Sequence, residues 1–187
     1  QRRQMRPKLV ILDRDGVINH DSDSYVKSAD EWQPIAGSIE AIGRLCRHGY
    51  QVAVASNQSG LGRGLFDQAA LDAMHAKMRR LIAAEGGTLA AIRYCAHGPD
   101  AGCDCRKPAP GLLLEIGRLL GLPLDGVPFI GDTLKDVEAA GGVNCRPMLV
   151  RTGKGGRTLM QHPELAATLP VFADLAAAVD DLLNTPA

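Results

Sequence analysis

The sequence lacks an excess of charge of either sign. Lys and Arg together number 21, Asp and Glu also number 21, and the formal net charge is therefore zero. A protein that binds nucleic acid through the phosphate backbone needs a basic surface, and the only basic cluster here is the short start QRRQMRPK. Aromatic residues make up only 4%, so platforms on which bases stack are also scarce. We therefore expect no nucleic-acid partner.

Long apolar runs are missing as well. No stretch approaches the roughly 20 apolar residues that span a bilayer, and the apolar part of KLVILDRDG is too short for the core of a signal peptide. These absences predict a cytoplasmic protein with no membrane partner. A chain of 187 residues fits one domain. We expect a monomer with one domain over residues 1–187, in which residues 1–6 form a flexible tail.

Short β-branched segments alternate with longer helical segments along the chain. The expected strands are KLVILD (8–13), QVAVAS (51–56), AIRYCA (91–96), VPFIGD (127–132) and PMLVRT (147–152), and helices are expected near 37–48, 67–85, 109–121, 133–141 and 171–184. Continuous apolar strands are typical of sheets covered on both faces, and strand–helix–strand repeats favour parallel pairing. The predicted fold is α/β, a doubly wound (Rossmann-like), mostly parallel sheet with helices on both faces.

Two carboxylates follow the first predicted strand, in the motif DRDGV. Residues i and i+2 of an extended backbone point the same way, so Asp13 and Asp15 can face one site. One can then act as nucleophile or metal ligand and the other as general acid and base. A solvated loop or a helix cap is the ordinary alternative for such a pair.

Two more carboxylates follow the fourth predicted strand, in GDTLKD. Asp132 and Asp136 lie four residues apart, on one face of a helix that begins there. Placed near Asp13 and Asp15, they would repel these carboxylates unless a cation lies among them, and an oxygen-rich site of this kind favours Mg²⁺. Helix capping by Asp132 is the simpler alternative.

Polar and basic residues follow the other strands. SNQSG, at the end of the second strand, offers hydroxyls, amides and free N–H groups that suit a phosphate, although an ordinary polar turn has the same composition. Arg106 and Lys107 lie in the loop after the third strand. Both are suited to phosphoryl oxygens, but a lone basic pair is usually solvated surface.

Three thiols and an imidazole lie within eleven residues, at Cys95, His97, Cys103 and Cys105. Three cysteines and one histidine form a ligand set of structural zinc, and the intervening Gly-Pro-Asp-Ala-Gly suits a turn. Four protein ligands would close the site, so we expect structural rather than catalytic zinc. Free buried thiols or a disulfide are the alternatives. Because the loop ends at Arg106, zinc there would fix how both basic residues approach the phosphate.

The motifs DRDGV, SNQSG, RKP and GDTLKD, in this order and spacing, resemble the haloacid dehalogenase superfamily of phosphatases over residues 8–152. The resemblance implies that Asp13 attacks phosphorus and becomes an aspartyl-phosphate. It implies that Asp15 protonates the leaving alcohol and then activates water. Ser56 and Lys107, with Arg106, are implied to hold the transferring phosphoryl group. The implied Mg²⁺ ligands are Asp13, the backbone carbonyl of Asp15 and Asp132, with Asp136 in support.

The spacing between these motifs leaves little beyond the βα units, so we expect no large cap domain. The C-x-H…C-x-C loop before RKP narrows the resemblance to a branch with heptose bisphosphate phosphatases and histidinol-phosphate phosphatases. SNQSGLGRGLF and LVRTGKG resemble the heptose enzymes, which implies a phosphorylated sugar substrate and a role in nucleotide-activated heptose synthesis for lipopolysaccharide or surface glycans. Histidinol phosphate is the alternative substrate, and a non-catalytic zinc-stabilised binding module is a remote alternative.

The substrate site is expected to draw on the loop after DRDGV and on the strand-end motifs. The expected residues are Asp21, Ser22, Asp23, Ser24, Asn57, Gln58, Ser59, Arg63, Arg106, Lys107 and Thr133. Arg63, Arg106 and Lys154 are candidates for the second phosphate of a bisphosphate.

Overall fold

The computed structural model describes residues 7–185, so the flexible tail predicted for residues 1–6 lies outside the described residues. Six parallel strands form its sheet. They are β1 (Leu9–Leu12), β2 (Gln51–Asn57), β3 (Leu89–Cys95), β4 (Pro128–Gly131), β5 (Arg146–Val150) and β6 (Val171–Phe172), in the order β3-β2-β1-β4-β5-β6. This order confirms the doubly wound parallel sheet that the sequence predicts.

Helices cover both faces of this sheet. They are α1 (Ser38–Arg47), α2 (Ser59–Gly62), α3 (Gln68–Ala84), α4 (Gly111–Leu120), α5 (Leu134–Gly141), α6 (Gly155–Gln161), α7 (Leu165–Thr168) and α8 (Leu175–Asn184). Side chains alternate along β1, so Val10 packs in one core with α1, α3 and α8, whereas Ile11 packs in a second core with α4 and α5. No helix within residues 7–185 has the length and apolar character needed to cross a membrane.

The structure differs from the sequence prediction mainly near the C-terminus. The helix expected over 171–184 is shorter, because residues 171–172 form β6 and Asp174 caps α8 by accepting a hydrogen bond from the Ala177 N–H. The short helices α2, α6 and α7 were not predicted. Four to seven residues are too few to show a helical period.

The strand order reverses at β1. Ile11 pairs with Ala53 of β2 on one side and with Phe129 of β4 on the other. In doubly wound sheets, ligands bind outside the carboxyl ends of the strands at such a switch point. Asp13 follows β1 and Asp132 follows β4, so the topology brings these two carboxylates to one place.

Candidate active site

A cleft of about 270 Å³ opens at this switch point. It is lined by Asp13, Asp15, Asp21, Ser22, Asp23, Tyr25, Val26, Asn57, Gln58, Ser59, Arg106, Lys107, Asp132, Thr133, Lys135, Asp136 and Lys154. Most of the residues predicted from the sequence therefore lie around one cavity. Val26 and Lys135 were not predicted.

Asp13 is fixed on the floor of the cleft. Its backbone N–H continues the β1–β4 pairing by donating to the Ile130 carbonyl at 3.0 Å. Its Oδ1 accepts from the Arg14 N–H at 2.7 Å and lies 3.1 Å from Lys107 Nζ. Burial, reinforced by the neighbouring carboxylate of Asp136, raises the pKa of Asp13 well above its ordinary value, although Lys107 opposes this rise.

Lys107 is buried among three acceptors. Its Nζ donates to Asp136 Oδ1 at 2.7 Å and to the Ala55 carbonyl at 2.9 Å, besides the contact with Asp13. Asn57 holds the Lys107 backbone at two points, with an N–H···Oδ1 distance of 3.0 Å and an Nδ2···O distance of 3.1 Å. Burial disfavours the charged form, but Asp13 and Asp136 outweigh it and raise the pKa of Lys107, so the ammonium stays charged.

Asp136 organises the start of α5. Thr133 and Asp136 form a capping box, and Asp136 Oδ2 also accepts from the Asp132 N–H at 3.1 Å. Burial opposes ionisation of Asp136, but Lys107 outweighs it and lowers the pKa. Asp136 is therefore an anion that fixes both Lys107 and the backbone of Asp132.

Asp132 presents a free oxygen to the cleft region. Its Oδ2 accepts from the Lys154 N–H at 2.9 Å, whereas its buried Oδ1 has no hydrogen-bond partner among residues 7–185. Burial and the neighbouring Asp136 raise the pKa of Asp132 to about 7. Gly16 has a positive φ of 86° and touches this carboxylate, where a side chain would clash, so only glycine fits there.

These groups fit a divalent cation. One oxygen each from Asp13, Asp132 and Asp136 lies within 4.8 Å of the others. Asp13 and Asp136 contact the single ammonium of Lys107, and Asp132 Oδ1 has no donor within the described residues. When all three carboxylates are ionised, two negative charges exceed what Lys107 offsets. Hard oxygen ligands and a deficit of two charges suit Mg²⁺.

Asp15 lies beside this cluster and outside the group of three. Its Oδ1 accepts from Arg14 Nε and from Asn19 Nδ2, both at 2.9 Å, whereas its Oδ2 accepts from Gln58 Nε2 at 3.1 Å. Although burial opposes ionisation, Arg14 outweighs it, and the pKa of Asp15 is lowered. Gln58 also donates to Ser56 Oγ at 2.8 Å, so the buried Ser56 lies behind Gln58 and does not line the cleft.

The cysteine loop brings its four predicted ligands together. The Cys103 sulfur lies 3.7 Å from the Cys95 sulfur and 3.6 Å from the Cys105 sulfur. His97 Nδ1 lies 3.5 Å from the Cys95 sulfur and 3.4 Å from the Cys105 sulfur. A tetrahedral zinc site with Zn–S bonds of about 2.3 Å has edges of roughly 3.5–3.8 Å. Cys95 and Cys105 lie closer, in disulfide contact. The donor set and these edges fit zinc.

Two predicted substrate residues do not line the cleft. Ser24 is exposed in a turn in which its N–H donates to Ser22 Oγ at 3.1 Å, and Arg63 is exposed just after the short helix α2. Their predicted contact with substrate stays a prediction, since neither residue lies against the cleft in the structure.

Three cations lie along the outer part of the cleft, at Arg106, Lys135 and Lys154. Partial burial, together with the charges of Arg106 and Lys154, lowers the pKa of Lys135. Lys154 also lies 3.5 Å from Asp21 across the cleft edge. We call these three residues the cationic rim.

The fold and the site are those of a haloacid dehalogenase (HAD)-like hydrolase. A family model described as HAD-hydrolase-like matches residues 104–178, and one described as polynucleotide kinase 3 phosphatase matches residues 8–135. The D-glycero-beta-D-manno-heptose-1,7-bisphosphate 7-phosphatases of Pseudomonas aeruginosa and Bordetella bronchiseptica are 57% and 52% identical to the chain. The alignments cover 96% and 95% of this chain and 100% and 98% of those proteins.

A crystal structure of D,D-heptose 1,7-bisphosphate phosphatase from B. bronchiseptica, complexed with magnesium and phosphate, matches with a TM-score of 0.90 and 52% identity. The match covers 94% of this chain and 98% of that one. The chain belongs to the family of D-glycero-β-D-manno-heptose-1,7-bisphosphate 7-phosphatases. This result confirms the phosphatase superfamily and the branch that the sequence motifs indicate.

Proposed function

We propose that the protein removes the 7-phosphate of D-glycero-β-D-manno-heptose 1,7-bisphosphate in a Mg²⁺-dependent reaction, within the synthesis of nucleotide-activated heptose. The observation that carries this proposal is the buried group of Asp13, Asp132 and Asp136 around Lys107, which offers a nucleophile, a cation site and a fixed positive charge in one cleft. The proposed substrate and its anomer are those for which the similar enzymes of P. aeruginosa and P. putida are named. The magnesium and phosphate in the B. bronchiseptica structure agree with the charge deficit.

The reaction has two steps at phosphorus. In the first, an oxygen of Asp13 attacks the 7-phosphate and Asp15 gives a proton to the departing sugar oxygen, so the P–O bond breaks and an aspartyl-phosphate forms. Because Arg14 lowers the pKa of Asp15 in the free protein, Asp15 must take up this proton before the step. In the second, Asp15 takes a proton from water as the water oxygen attacks phosphorus and the bond from phosphorus to the Asp13 oxygen breaks. This step releases phosphate, restores the Asp13 carboxylate and returns the proton to Asp15. Lys107 offsets the negative charge that accumulates on the phosphoryl oxygens.

Mg²⁺, held by Asp13 and Asp132, with the Asp15 carbonyl and with Asp136 in support, would withdraw charge from the phosphoryl oxygens and orient them for attack. Asn57 keeps Lys107 in place through its two backbone contacts. Gln58 joins Asp15 to Ser56. These residue roles are parts of the proposal.

A panel of phosphate esters tests the substrate. We expect Mg²⁺-dependent phosphate release with kcat/KM at least about a hundredfold higher, or roughly 2.7 kcal/mol, for the β-heptose 1,7-bisphosphate than for histidinol phosphate or fructose 1,6-bisphosphate. The α anomer is assayed in parallel. Preference for histidinol phosphate would contradict the proposed substrate but would remain consistent with the proposed phosphatase mechanism.

The cationic rim suits the second phosphate of a bisphosphate. Replacing Lys135 with alanine removes one charge-assisted contact, so KM for the bisphosphate should rise about tenfold with little change in kcat. KM for heptose 7-phosphate, which lacks that phosphate, should stay the same. Steady-state kinetics on both substrates check this prediction. Arg63→Ala is the matched control, because Arg63 is exposed outside the cleft. Equal effects of Lys135→Ala on both substrates would contradict the role of Lys135 in binding the second phosphate.

Zinc in the cysteine loop would position the basic pair that follows it. Arg106 Nη1 donates to the His97 carbonyl at 3.0 Å, which ties the guanidinium to the loop. We expect one zinc per chain by elemental analysis. Cys103→Ala should lose the zinc and lower kcat/KM about tenfold, because the Arg106 contact with phosphate is loosened.

Cys46→Ala is the control for that variant, since Cys46 is a half-buried free thiol on α1, away from the loop. Unchanged kinetics in a zinc-free Cys103→Ala protein would contradict the positioning role. A purified chain with no zinc and with Cys95 and Cys105 unreactive towards thiol reagents would favour the disulfide instead.

We also propose that the chain is one domain and acts as a monomer in the cytoplasm without nucleic-acid or membrane partners. The cleft residues come from both halves of one sheet, so the site needs no second copy of the chain. Light scattering during gel filtration tests the monomer, and a dimer mass would contradict it.

A further inference from the structure

Arg14 separates the two aspartates of DRDGV and is completely buried, although it carries a charge. Its guanidinium has two side-chain partners on different elements. Nε and Nη2 lie 2.9 Å and 2.8 Å from Asp15 Oδ1, and Nη1 lies 3.2 Å from Nε2 of His75 on α3. A buried guanidinium needs such partners, because each unpaired donor costs free energy.

His75 can serve this arginine only as a neutral acceptor. Burial and the nearby Arg14 lower the pKa of His75 to about 4, so the imidazole is uncharged near neutral pH. A guanidinium has donors and no acceptor, so Nε2 must accept from Nη1 and the ring proton lies on Nδ1. A charged histidine would instead repel Arg14.

The two carboxylate oxygens of Asp15 differ in their hydrogen-bond donors. Two donors converge on Oδ1, namely Nε of Arg14 and Nδ2 of Asn19, and Arg14 Nη2 adds an ion-pair contact at 2.8 Å. Among residues 7–185, Oδ2 accepts a hydrogen bond only from the Gln58 amide, at 3.1 Å, and Asp15 lines the cleft. The guanidinium therefore immobilises one oxygen and leaves the other for a proton that comes and goes.

We propose that His75 is a positioning residue for the phosphatase reaction, because it holds the Arg14 guanidinium in the orientation that occupies Asp15 Oδ1 and presents Oδ2 to the leaving oxygen. This inference rests on the proposed function. Without the acceptor on α3, Nη1 loses its partner, and the guanidinium can rotate away from the geometry that fixes Asp15. The chemical effect falls on proton transfer to the leaving group.

The test compares leaving groups. kcat/KM reports the steps up to release of the alcohol, and p-nitrophenolate leaves without a proton whereas a sugar alkoxide needs one. His75→Leu should lower kcat/KM at least about thirtyfold on the heptose bisphosphate and less than about threefold on p-nitrophenyl phosphate, since general acid catalysis contributes about 10²–10⁴-fold. His75→Gln, whose amide oxygen can reach the position of Nε2, should recover most of the loss.

Melting temperatures and circular dichroism establish that each variant is folded. If the leucine variant does not fold, His75→Asn replaces it, because its amide is polar but too short to reach Nη1. As a second readout, ¹⁵N NMR of the wild-type imidazole should show a neutral ring with an unprotonated Nε2 between pH 6 and pH 8.

Equal losses on both substrates, or no recovery with glutamine, would overturn the inference and show that His75 only fills the core. A protonated Nε2 would overturn it as well. The proposed function fails separately, if the wild-type chain itself releases no phosphate from the heptose bisphosphate in the presence of Mg²⁺.

Discussion

Replacing Asp13 with asparagine is expected to lower kcat for phosphate release at least about 10⁴-fold while the fold persists. An amide cannot form the aspartyl-phosphate, so both chemical steps are lost. The fold should persist because the amide oxygen can still accept from the Arg14 N–H. The substitution also removes a buried charge that Asp136 and Asp132 repel. Phosphate release with Mg²⁺ and thermal unfolding on the same preparation measure the two effects.

Asp15→Asn is the matched control, because it changes the neighbouring carboxylate of the same motif and leaves the proposed nucleophile intact. It should lose activity on the heptose bisphosphate, yet retain attack on p-nitrophenyl phosphate, whose leaving group needs no proton. Activity of Asp13→Asn within about tenfold of wild type would contradict the role of Asp13 as nucleophile.

Replacing Lys107 with methionine should have the second largest effect, on both stability and activity. Its ammonium is the only cation that contacts the carboxylates of Asp13 and Asp136 within the described chain, at 3.1 Å and 2.7 Å. Removing one partner of a buried ion pair leaves an uncompensated charge, which costs about 3–5 kcal/mol. Loss of a fixed charge that faces the phosphoryl group should lower kcat about 10³-fold.

Denaturant unfolding without divalent metal measures the stability effect on Lys107→Met. The double variant Lys107→Met, Asp136→Asn is the control, because it removes one of the two stranded charges and should recover part of the stability without activity. Addition of Mg²⁺ should also narrow the difference from wild type, since the cation neutralises the same carboxylates. An unchanged free energy of unfolding in Lys107→Met would contradict the ion-pair arrangement.

The part of the site that the sequence predicts is the part fixed by strand topology. Asp13 and Asp132 each end a continuous apolar strand, and the carboxyl ends of parallel strands share one edge of the sheet, so their meeting followed from the pattern. Lys107 could be placed for a related reason. It lies in the loop after β3, although only the structure shows its two anionic partners.

The remaining features depend on where turns direct side chains. Ser24 and Arg63 were predicted to contact substrate from motif position alone, and each lies on the outer side of a turn. Lys135 resembles an ordinary exposed helical lysine in sequence. It reaches the cleft only because the Thr133–Asp136 capping box begins α5 at the cleft edge.

His75 gave no sequence signal. It lies on α3 with Leu71 and Met78, at intervals of four and three residues, and this spacing is typical of an apolar core face. The partner that distinguishes it, Arg14, lies 61 positions away in the chain. A contact over that separation depends on the packing of α3 against the sheet, which a single sequence does not encode in any local pattern.

The central claim is that phosphate leaves the substrate through a covalent bond to Asp13. The most direct measurement is peptide mass spectrometry after acid quenching of the Asp15→Asn enzyme with Mg²⁺ and p-nitrophenyl phosphate. This variant accumulates the intermediate because water is no longer activated. We predict one added phosphoryl group on Asp13, sensitive to hydroxylamine and absent when Mg²⁺ is withheld. A phosphoryl group on another side chain, or Mg²⁺-dependent turnover with an Asp13 that never becomes modified, would contradict the account.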